Sequence, residues 1–138
     1  KTEQNIGTLW RSAYQLGASG IFTIGRRYQK QASDTCKTFK HVALRTYRDL
    51  DELLAVLPYG APLVAIEMGS KPIEEFWHPE RAVYLLGAED HGLPDAVLSR
   101  CHMAVSLDCV RLESYNVAIA GSIVMYHRLM QNGRHSSF

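Results

Sequence analysis

The sequence predicts an α/β domain built on a mainly parallel sheet flanked by helices. Short segments such as 63–68 and 82–86 are continuously apolar, as strands buried on both faces are. Segments with helical spacing alternate with these strands, which is typical of a parallel sheet. The length of 138 residues suits one domain, 1–138, because a chain of this size can bury a core of its own.

The elements follow one another with regular alternation. A first helix is predicted over 8–18, where Leu9, Ala13 and Leu16 share one face and Gly17 is a stop signal. The other predicted elements, in chain order, are a strand at 21–24, a basic loop at 26–31, a strand near 42–44, a helix at 49–57, a strand at 63–68, a helical or irregular link at 70–77, a strand at 82–86, a helix at 94–99, a strand at 103–107 and a long helix at 116–130.

Several classes of protein are excluded by composition. No apolar run approaches the roughly 18 residues that cross a bilayer. Residues 1–4 lack the features of a secretory signal, so we expect a cytoplasmic protein. Cys36, Cys101 and Cys109 are expected to be free thiols, and without C-x-x-C spacing no metal site is predicted. A serine hydrolase is excluded because G-x-S-x-G is absent.

The net charge of +1 conceals a strong asymmetry along the chain. Residues 1–48 carry nine basic and two acidic side chains, whereas residues 49–138 carry six basic and twelve acidic ones. Arginines outnumber lysines ten to five, and a guanidinium suits bidentate phosphate contacts. The N-terminal third is therefore a candidate nucleic-acid surface, unless its charge faces an acidic patch of the same molecule or of a second subunit.

The segment 5–13 carries the first candidate site. It lies at the start of the predicted first helix, where free N–H groups and a partial positive charge favour an anion. An arginine in that turn is unfavourable by itself, so Arg11 suggests a phosphate or carboxylate ligand. The alternative is that Asn5 or Thr8 caps the helix and Arg11 is merely solvated.

The second candidate site is a loop with two glycines, Gly87 and Gly92, at the end of a predicted strand. Glycine lets the backbone approach a ligand closely, and Glu89 is placed to bind a ribose hydroxyl or an arginine. A phosphate-binding P-loop is excluded because its Lys-Ser/Thr pair is missing. A tight turn before a short helix explains the same residues, and His91 is either a general base or a surface residue.

The third candidate site, 107–118, leads into the last predicted helix. Ser114 and Asn116 are both good N-cap residues. Small residues follow them, and these allow close packing of another backbone, either within the fold or across a dimer interface. They are Ala118, Ala120, Gly121 and Ser122.

In order, the three segments read N-x-G-x-x-x-R, L-G-x-E-x-x-G-L and S-Y-N-V-A, and together they resemble the SpoU/TrmH branch of the SPOUT RNA methyltransferases. The resemblance extends from Asn5 to about Arg128. It implies a C-terminal trefoil knot, S-adenosylmethionine bound in the knot, and a homodimer with active sites at the interface. It also implies methyl transfer to a ribose 2′-hydroxyl of RNA, tRNA rather than rRNA, with S-adenosylhomocysteine as product.

The resemblance also assigns roles by position. Arg11 matches the catalytic arginine, Asn5 its supporting residue and Glu89 the acid of the second motif. Because a guanidinium stays protonated, we expect Arg11 to clamp the phosphate beside the reacting ribose rather than to act as a base. Ser114 and Asn116 complete the expected catalytic group. The residues expected at the cofactor are Ile66, Glu67, Gly87, Gly92, Leu107, Leu112, Ser114 and Asn116.

The basic loop at 26–30 is the expected RNA contact, together with Arg11. Arg26, Arg27 and Lys30 supply charge, and Tyr28 is placed to stack on a base. The alternative is an ordinary mobile loop.

Two features depart from the family pattern. Where the family has Ile-Pro-Met, the stretch 106–110 reads Ser-Leu-Asp-Cys-Val, and Asp108 and Arg111 add charges. The family also has a first strand for which residues 1–4 are too short, so either upstream sequence is missing or the sheet lacks an edge. Two other function classes stay open: a non-catalytic RNA- or nucleotide-binding module of the same fold, and a flavodoxin-like nucleotide-binding regulator.

Overall fold

The described helices and strands follow one another in the predicted order. The computed structural model describes residues 2–25, 41–58, 60–87, 92–109, 111 and 115–133. In chain order the elements are α1 (Thr2–Leu16), β1 (Gly20–Ile24), β2 (Ala43–Tyr47), α2 (Leu50–Val56), β3 (Leu63–Pro72), a 3₁₀ turn (Ile73–Glu75), β4 (Val83–Leu86), α3 (Asp95–Leu98), β5 (Met103–Ser106), α4 (Val117–Arg128) and a π-helical turn (Leu129–Gly133).

The described strands form two sheets, and every pairing in them is parallel. β1 pairs with β2, and β3 lies between β4 and β5. Side chains of both sheets pack together, since Phe22 and Tyr47 lie against a buried cluster of Leu53, Leu63 and Leu85. The parallel α/β prediction is therefore confirmed, although the described strands are divided between two sheets rather than joined in one.

β3 is longer than the predicted strand, which ended at 68. Val105 of β5 is the partner of both Ile66 and Lys71, so the four residues between them bulge out of the pairing. Gly69 within this bulge has φ +82°, in the left-handed region that glycine adopts readily. The predicted link at 70–77 is replaced by strand and a 3₁₀ turn because pairing with β5 resumes beyond the bulge.

α1 begins at Thr2, six residues before the predicted start. Asn5 and Thr8 are therefore inside the helix rather than caps, and Arg11 lies in its third turn. The expectation that Arg11 occupies the first turn is wrong, and with it the inference of an anion at that helix end. A tertiary contact supports the added turns, since Asn5 bonds to Asn116 at the start of the last helix, while buried Trp10 further along donates to the Val42 carbonyl at 2.8 Å.

α4 matches the predicted last helix closely. Asn116 is its N-cap, because its side-chain Oδ1 accepts the N–H groups of Ala118 at 2.9 Å and Ile119 at 3.2 Å. α4 packs on α1, and the hydroxyls of Ser122 and Ser12 are bonded at 2.7 Å across this contact. The small residues of α4 thus serve packing within the fold.

Other described features bear on the predicted class of protein. None of the described helices is both long and apolar enough to cross a membrane. Cys101 and Cys109 are free thiols, whereas Cys36 lies outside the described residues. Within the described ranges no three His, Cys, Asp or Glu side chains are grouped as a metal site would require.

Candidate functional site

β3, at the point where its pairing with β4 stops, and the carboxyl ends of β4 and β5 bring three predicted cofactor residues to one edge of the sheet. Ile66 lies opposite both Leu86 of β4 and Val105 of β5. Gly87 directly follows Leu86, and Leu107 comes two residues after Val105. Leu107 is buried, while Ile66 and Gly87 are half-buried. In open parallel sheets this edge is where ligands bind, so the register of the strands supports the predicted location.

At the end of the loop after β4, Gly92 and Leu93 lie next to Gly87, where the loop begins. A Cβ on Gly87 would overlap the carbonyl carbon of Gly92 and would lie 2.6 Å from the Leu93 nitrogen. Real side chains do not tolerate such contacts, so position 87 requires glycine. Gly92 itself has φ +65°, which also favours glycine. Both glycines of the second motif therefore have a steric reason to be there.

Glu67 reaches the same loop from β3, one residue after the last residue of that strand paired with β4. Its Oε2 accepts the Leu93 N–H at 3.3 Å. Its Oε1 lies 3.2 Å from the point that a Cβ on Gly92 would occupy. The carboxylate is thus packed directly against the Gly92–Leu93 peptide, which is called the closing peptide of the loop because it returns to Gly87.

A side-chain hydrogen bond joins the first and third motifs. Asn116 Nδ2 donates to Asn5 Oδ1 at 3.0 Å, while Asn116 Oδ1 caps α4. An amide has both donors and an acceptor, so one side chain performs both tasks.

The second motif meets the other two at Gly121 of α4. A Cβ on Gly121 would overlap Leu9 Cδ1 of α1 and would lie 3.0 Å from Leu86 Cδ1 of β4. Leu86 immediately precedes Gly87. The absence of a side chain at 121 therefore lets α1, α4 and the end of β4 converge.

Arg11 lies on a different side of α1 from Asn5. The two are six positions apart, which places them about 120° apart around the helix axis. Asn5 and Ser12 face α4, whereas Arg11 is exposed to solvent. The guanidinium is therefore available to an external anion, and it is not on the α4-facing side where Asn5 bonds to Asn116.

The altered stretch of the third motif contains a pair of carboxyl groups. The side chain of Asp108 is hydrogen-bonded to Glu74, and chiefly for this reason the pKa of Glu74 is raised above its ordinary value. The Asp108 carbonyl also accepts the Tyr115 hydroxyl at 2.5 Å, just before the cap of α4. Sequence reasoning identified Asp108 as an unusual charge but not its partner Glu74, which only the turn after β3 brings near.

A second polar cluster, which sequence reasoning missed, joins α4 to the connection between β3 and β4. His78 is only 8% exposed, and its ring bonds to the Tyr84 hydroxyl at 2.6 Å and to His127 Nδ1 at 2.8 Å. Arg128 donates to the same hydroxyl at 3.0 Å and to two backbone carbonyls. The two histidines are 49 positions apart, and no local sequence pattern predicts that they are in contact.

Several predicted site residues lie outside the described part of the chain, and their roles stay predictions. They are Glu89, His91, Leu112 and Ser114, together with the RNA-binding residues Arg26, Arg27, Tyr28 and Lys30.

Comparison with known proteins identifies relatives of this chain. The chain is 29% identical over 139 residues to the 23S rRNA (uridine(2479)-2′-O)-methyltransferase of Streptomyces viridochromogenes. That match covers 92% of this chain but 48% of the relative, so the chain spans about half the length of that protein.

Solved structures share the fold. One from work on the 2-OH methylation of C/U34 on tRNA is 27% identical with a TM-score of 0.79, covering 96% of this chain and 91% of that one. The SpoU methyltransferase AviRb from Streptomyces viridochromogenes, in complex with AdoMet, is 23% identical with a TM-score of 0.79, covering 96% of this chain and 54% of that one. Residues 1–126 match the SpoU rRNA Methylase family, to which this chain therefore belongs.

Proposed function

We propose that this chain carries the catalytic domain of an RNA methyltransferase that transfers a methyl group from S-adenosylmethionine to a ribose 2′-hydroxyl. The convergence of the three motifs carries this proposal. The Asn5–Asn116 bond joins the first to the third, and Gly121 meets both Leu9 and Leu86 beside the second. Residues far apart in sequence are thereby brought together, with Leu86 at the end of β4 next to the sheet edge that suits a ligand.

The sheet edge has the chemistry that S-adenosylmethionine needs. Half-buried Ile66 offers apolar surface for a purine above buried Leu107, and Gly87 lets the loop backbone pass close to this surface. We propose that these residues hold the cofactor together with Gly92 and Asn116, beside Glu67, and with Leu112 and Ser114 outside the described ranges. The cofactor supplies a methyl group already activated on a sulfonium. The AviRb complex with AdoMet supports this choice.

The protein's own task is then chiefly to position the acceptor. We propose that Arg11 clamps the phosphate next to the reacting ribose through its exposed guanidinium. A nearby positive charge favours loss of the hydroxyl proton, which passes to phosphate, water or another group. Asn5 contributes by holding α1 on the cap of α4, and Glu89 is proposed to complete the catalytic group.

The proposed substrate is tRNA. The basic character of residues 1–48 suits a polyanion, and Arg26, Arg27, Tyr28 and Lys30 are proposed to contact it. The structure from work on tRNA methylation is matched over 91% of its length, which supports tRNA, whereas the rRNA methyltransferase is matched over 48%. We place the activity in the cytoplasm.

We also propose a trefoil knot and a homodimer, as the family resemblance implies. Support for a dimer comes from large apolar side chains that α1 and α4 leave in solvent. Tyr14 is 44%, Ile119 52% and Tyr126 55% exposed. A second copy would remove these side chains from water.

The test begins with calorimetric titration of the purified protein with S-adenosylmethionine and S-adenosylhomocysteine. Binding of both in the micromolar range is expected. Transfer of a labelled methyl group is then measured on tRNA and on rRNA transcripts, and 2′-O-methylation is read from linkages that resist alkaline hydrolysis. Labelled tRNA would support the proposal. Label on rRNA alone would contradict the proposal that tRNA is the substrate. Absence of binding at millimolar concentration would favour a non-catalytic module.

A further inference from the structure

We infer that Glu67 is a positioning residue, which fixes the shape of the loop after β4 by holding its closing peptide. The inference rests on the proposed function for its consequence, since the loop borders the proposed cofactor site. Its structural part stands on contacts in the protein alone. Glu67 thus acts on the reaction through the loop, and the atoms it holds are those of the Gly92–Leu93 peptide.

The register of the sheet places Glu67 where it can do this. Ile66 and Leu86 are the last paired residues of β3 and β4. Glu67 and Gly87 follow them on neighbouring strands. The peptide between positions 92 and 93 lies against both residues: it occupies the space that a Cβ on Gly87 would need, and its N–H donates to the Glu67 carboxylate.

Glu67 lies where β3 leaves its pairing with β5, at the start of the bulge. Residues 67–70 leave the pairing with β5, and Val105 is shared by the residues on either side. Bulges redirect side chains and recur beside active sites. A regularly paired strand would keep this stretch in the ladder instead.

The contact needs an acceptor atom rather than a charge. The Leu93 N–H is a single donor, and the amide oxygen of glutamine accepts such a bond as well as a carboxylate does geometrically. Alanine would remove the acceptor and leave space beside Gly92. Glutamine and alanine at position 67 therefore separate positioning from a direct charge contact with the sulfonium of the cofactor.

The first experiment is amide hydrogen exchange at Leu93 in the protein without cofactor. Glu67→Ala is expected to speed exchange about tenfold, the effect of losing one hydrogen bond of typical strength. Glu67→Gln is expected to stay within about threefold of the parent protein, as is the matched control Glu75→Ala, whose exposed carboxylate lies on the 3₁₀ turn. Unchanged exchange in Glu67→Ala would overturn the inference.

The second experiment is titration of the same variants with S-adenosylmethionine and S-adenosylhomocysteine. Glu67→Ala is expected to weaken both by a similar factor of about ten, because a misplaced loop affects both ligands alike. Glu67→Gln should bind both nearly normally. If Glu67→Gln weakened the binding of positively charged S-adenosylmethionine but not that of S-adenosylhomocysteine, Glu67 would contact the sulfonium directly. That result would overturn the inference. If the parent protein binds neither ligand, the proposed function fails, and the exchange result alone decides the role of Glu67 in the loop.

Discussion

Asn116 donates to Asn5 at 3.0 Å although the two residues are 111 positions apart in the chain. The same Asn116 side chain caps α4, so the start of the last helix is tied to the first one. Together with the Ser12–Ser122 bond, this amide therefore helps to set the relative position of two motifs that carry the proposed chemistry. Two substitutions at Asn116 separate capping from the bond between the helices.

Asn116→Ala is expected to lower the free energy of unfolding by about 1–2 kcal/mol, because both the cap and the bond to Asn5 are lost. Asn116→Asp keeps an oxygen for the cap and loses only the donor, so it should cost less. Urea denaturation measures both. Equal losses for the two variants would show that the tie to Asn5 is the only stabilising contribution.

Gly87→Ala is expected to abolish cofactor binding, because a Cβ there overlaps the Gly92 backbone and the loop cannot close. Titration with S-adenosylmethionine measures this. Gly60→Ala is the control, since Gly60 has φ +77° but open space around it. That control should cost about 1 kcal/mol of stability and leave binding intact. Normal binding by Gly87→Ala would contradict the described loop closure.

Gly121→Ala is expected to destabilise the fold by about 1–2 kcal/mol, because overpacking against Leu9 outweighs the better helix propensity of alanine. The obstacle is the end of a flexible side chain, so Leu9→Ala should relieve it. A double-mutant cycle tests this: the double variant should lose less stability than the two single losses added together. Strict additivity would place the clash elsewhere.

Stability should depend on pH through His78. Burial lowers the pKa of His78 to about 4, from an ordinary value of 6.5, and the positive charges of His127 and Arg128 add to this effect. Between pH 6.5 and about 4, His78 is therefore protonated in the unfolded chain but not in the folded one. The stabilisation is complete above pH 6.5, falls as the pH drops from 6.5 through about 4, and levels off below that.

Denaturation midpoints measured between pH 8 and pH 3.5 give this dependence. His78→Gln lacks the titrating ring, so its midpoints should vary less over the same interval, whatever its absolute stability. If the midpoints of the parent protein and of His78→Gln change equally with pH, then protonation of His78 does not destabilise the fold.

Arg11→Lys is expected to reduce methyl transfer by at least tenfold, because an ammonium cannot make the bidentate phosphate contact of a guanidinium. Its stability should be unchanged, since Arg11 is exposed. Turnover on tRNA and the thermal midpoint are measured together. Near-normal turnover would contradict the phosphate clamp, and a lowered midpoint would show a structural role instead.

Much of the fold was predictable because its signals are local. The apolar runs around Leu63 and Leu85 identified buried strands, and Asn116 marked the start of the last helix. The glycines at 87 and 92 marked the loop. These features depend on the hydrophobicity and backbone freedom of neighbouring residues, which the sequence contains directly.

The start of α1 and the length of β3 were mispredicted because partners distant in sequence decide them. Asn5 and Trp10 are held by Asn116 and Val42, and β3 continues only because β5 pairs with it again beyond the bulge. The helix propensity near Thr2 and the strand propensity near Lys71 depend on neighbouring residues and contain no information about these distant partners.

The sequence by itself determined the order of the elements, the parallel α/β class and the three motifs by which the family is recognised, because each depends on residues close together in the chain. Only the tertiary structure decided that Glu67 holds the loop, that Asn5 meets Asn116, and that His78 meets His127. Such contacts depend on register and helix packing, which bring together side chains that no local pattern relates.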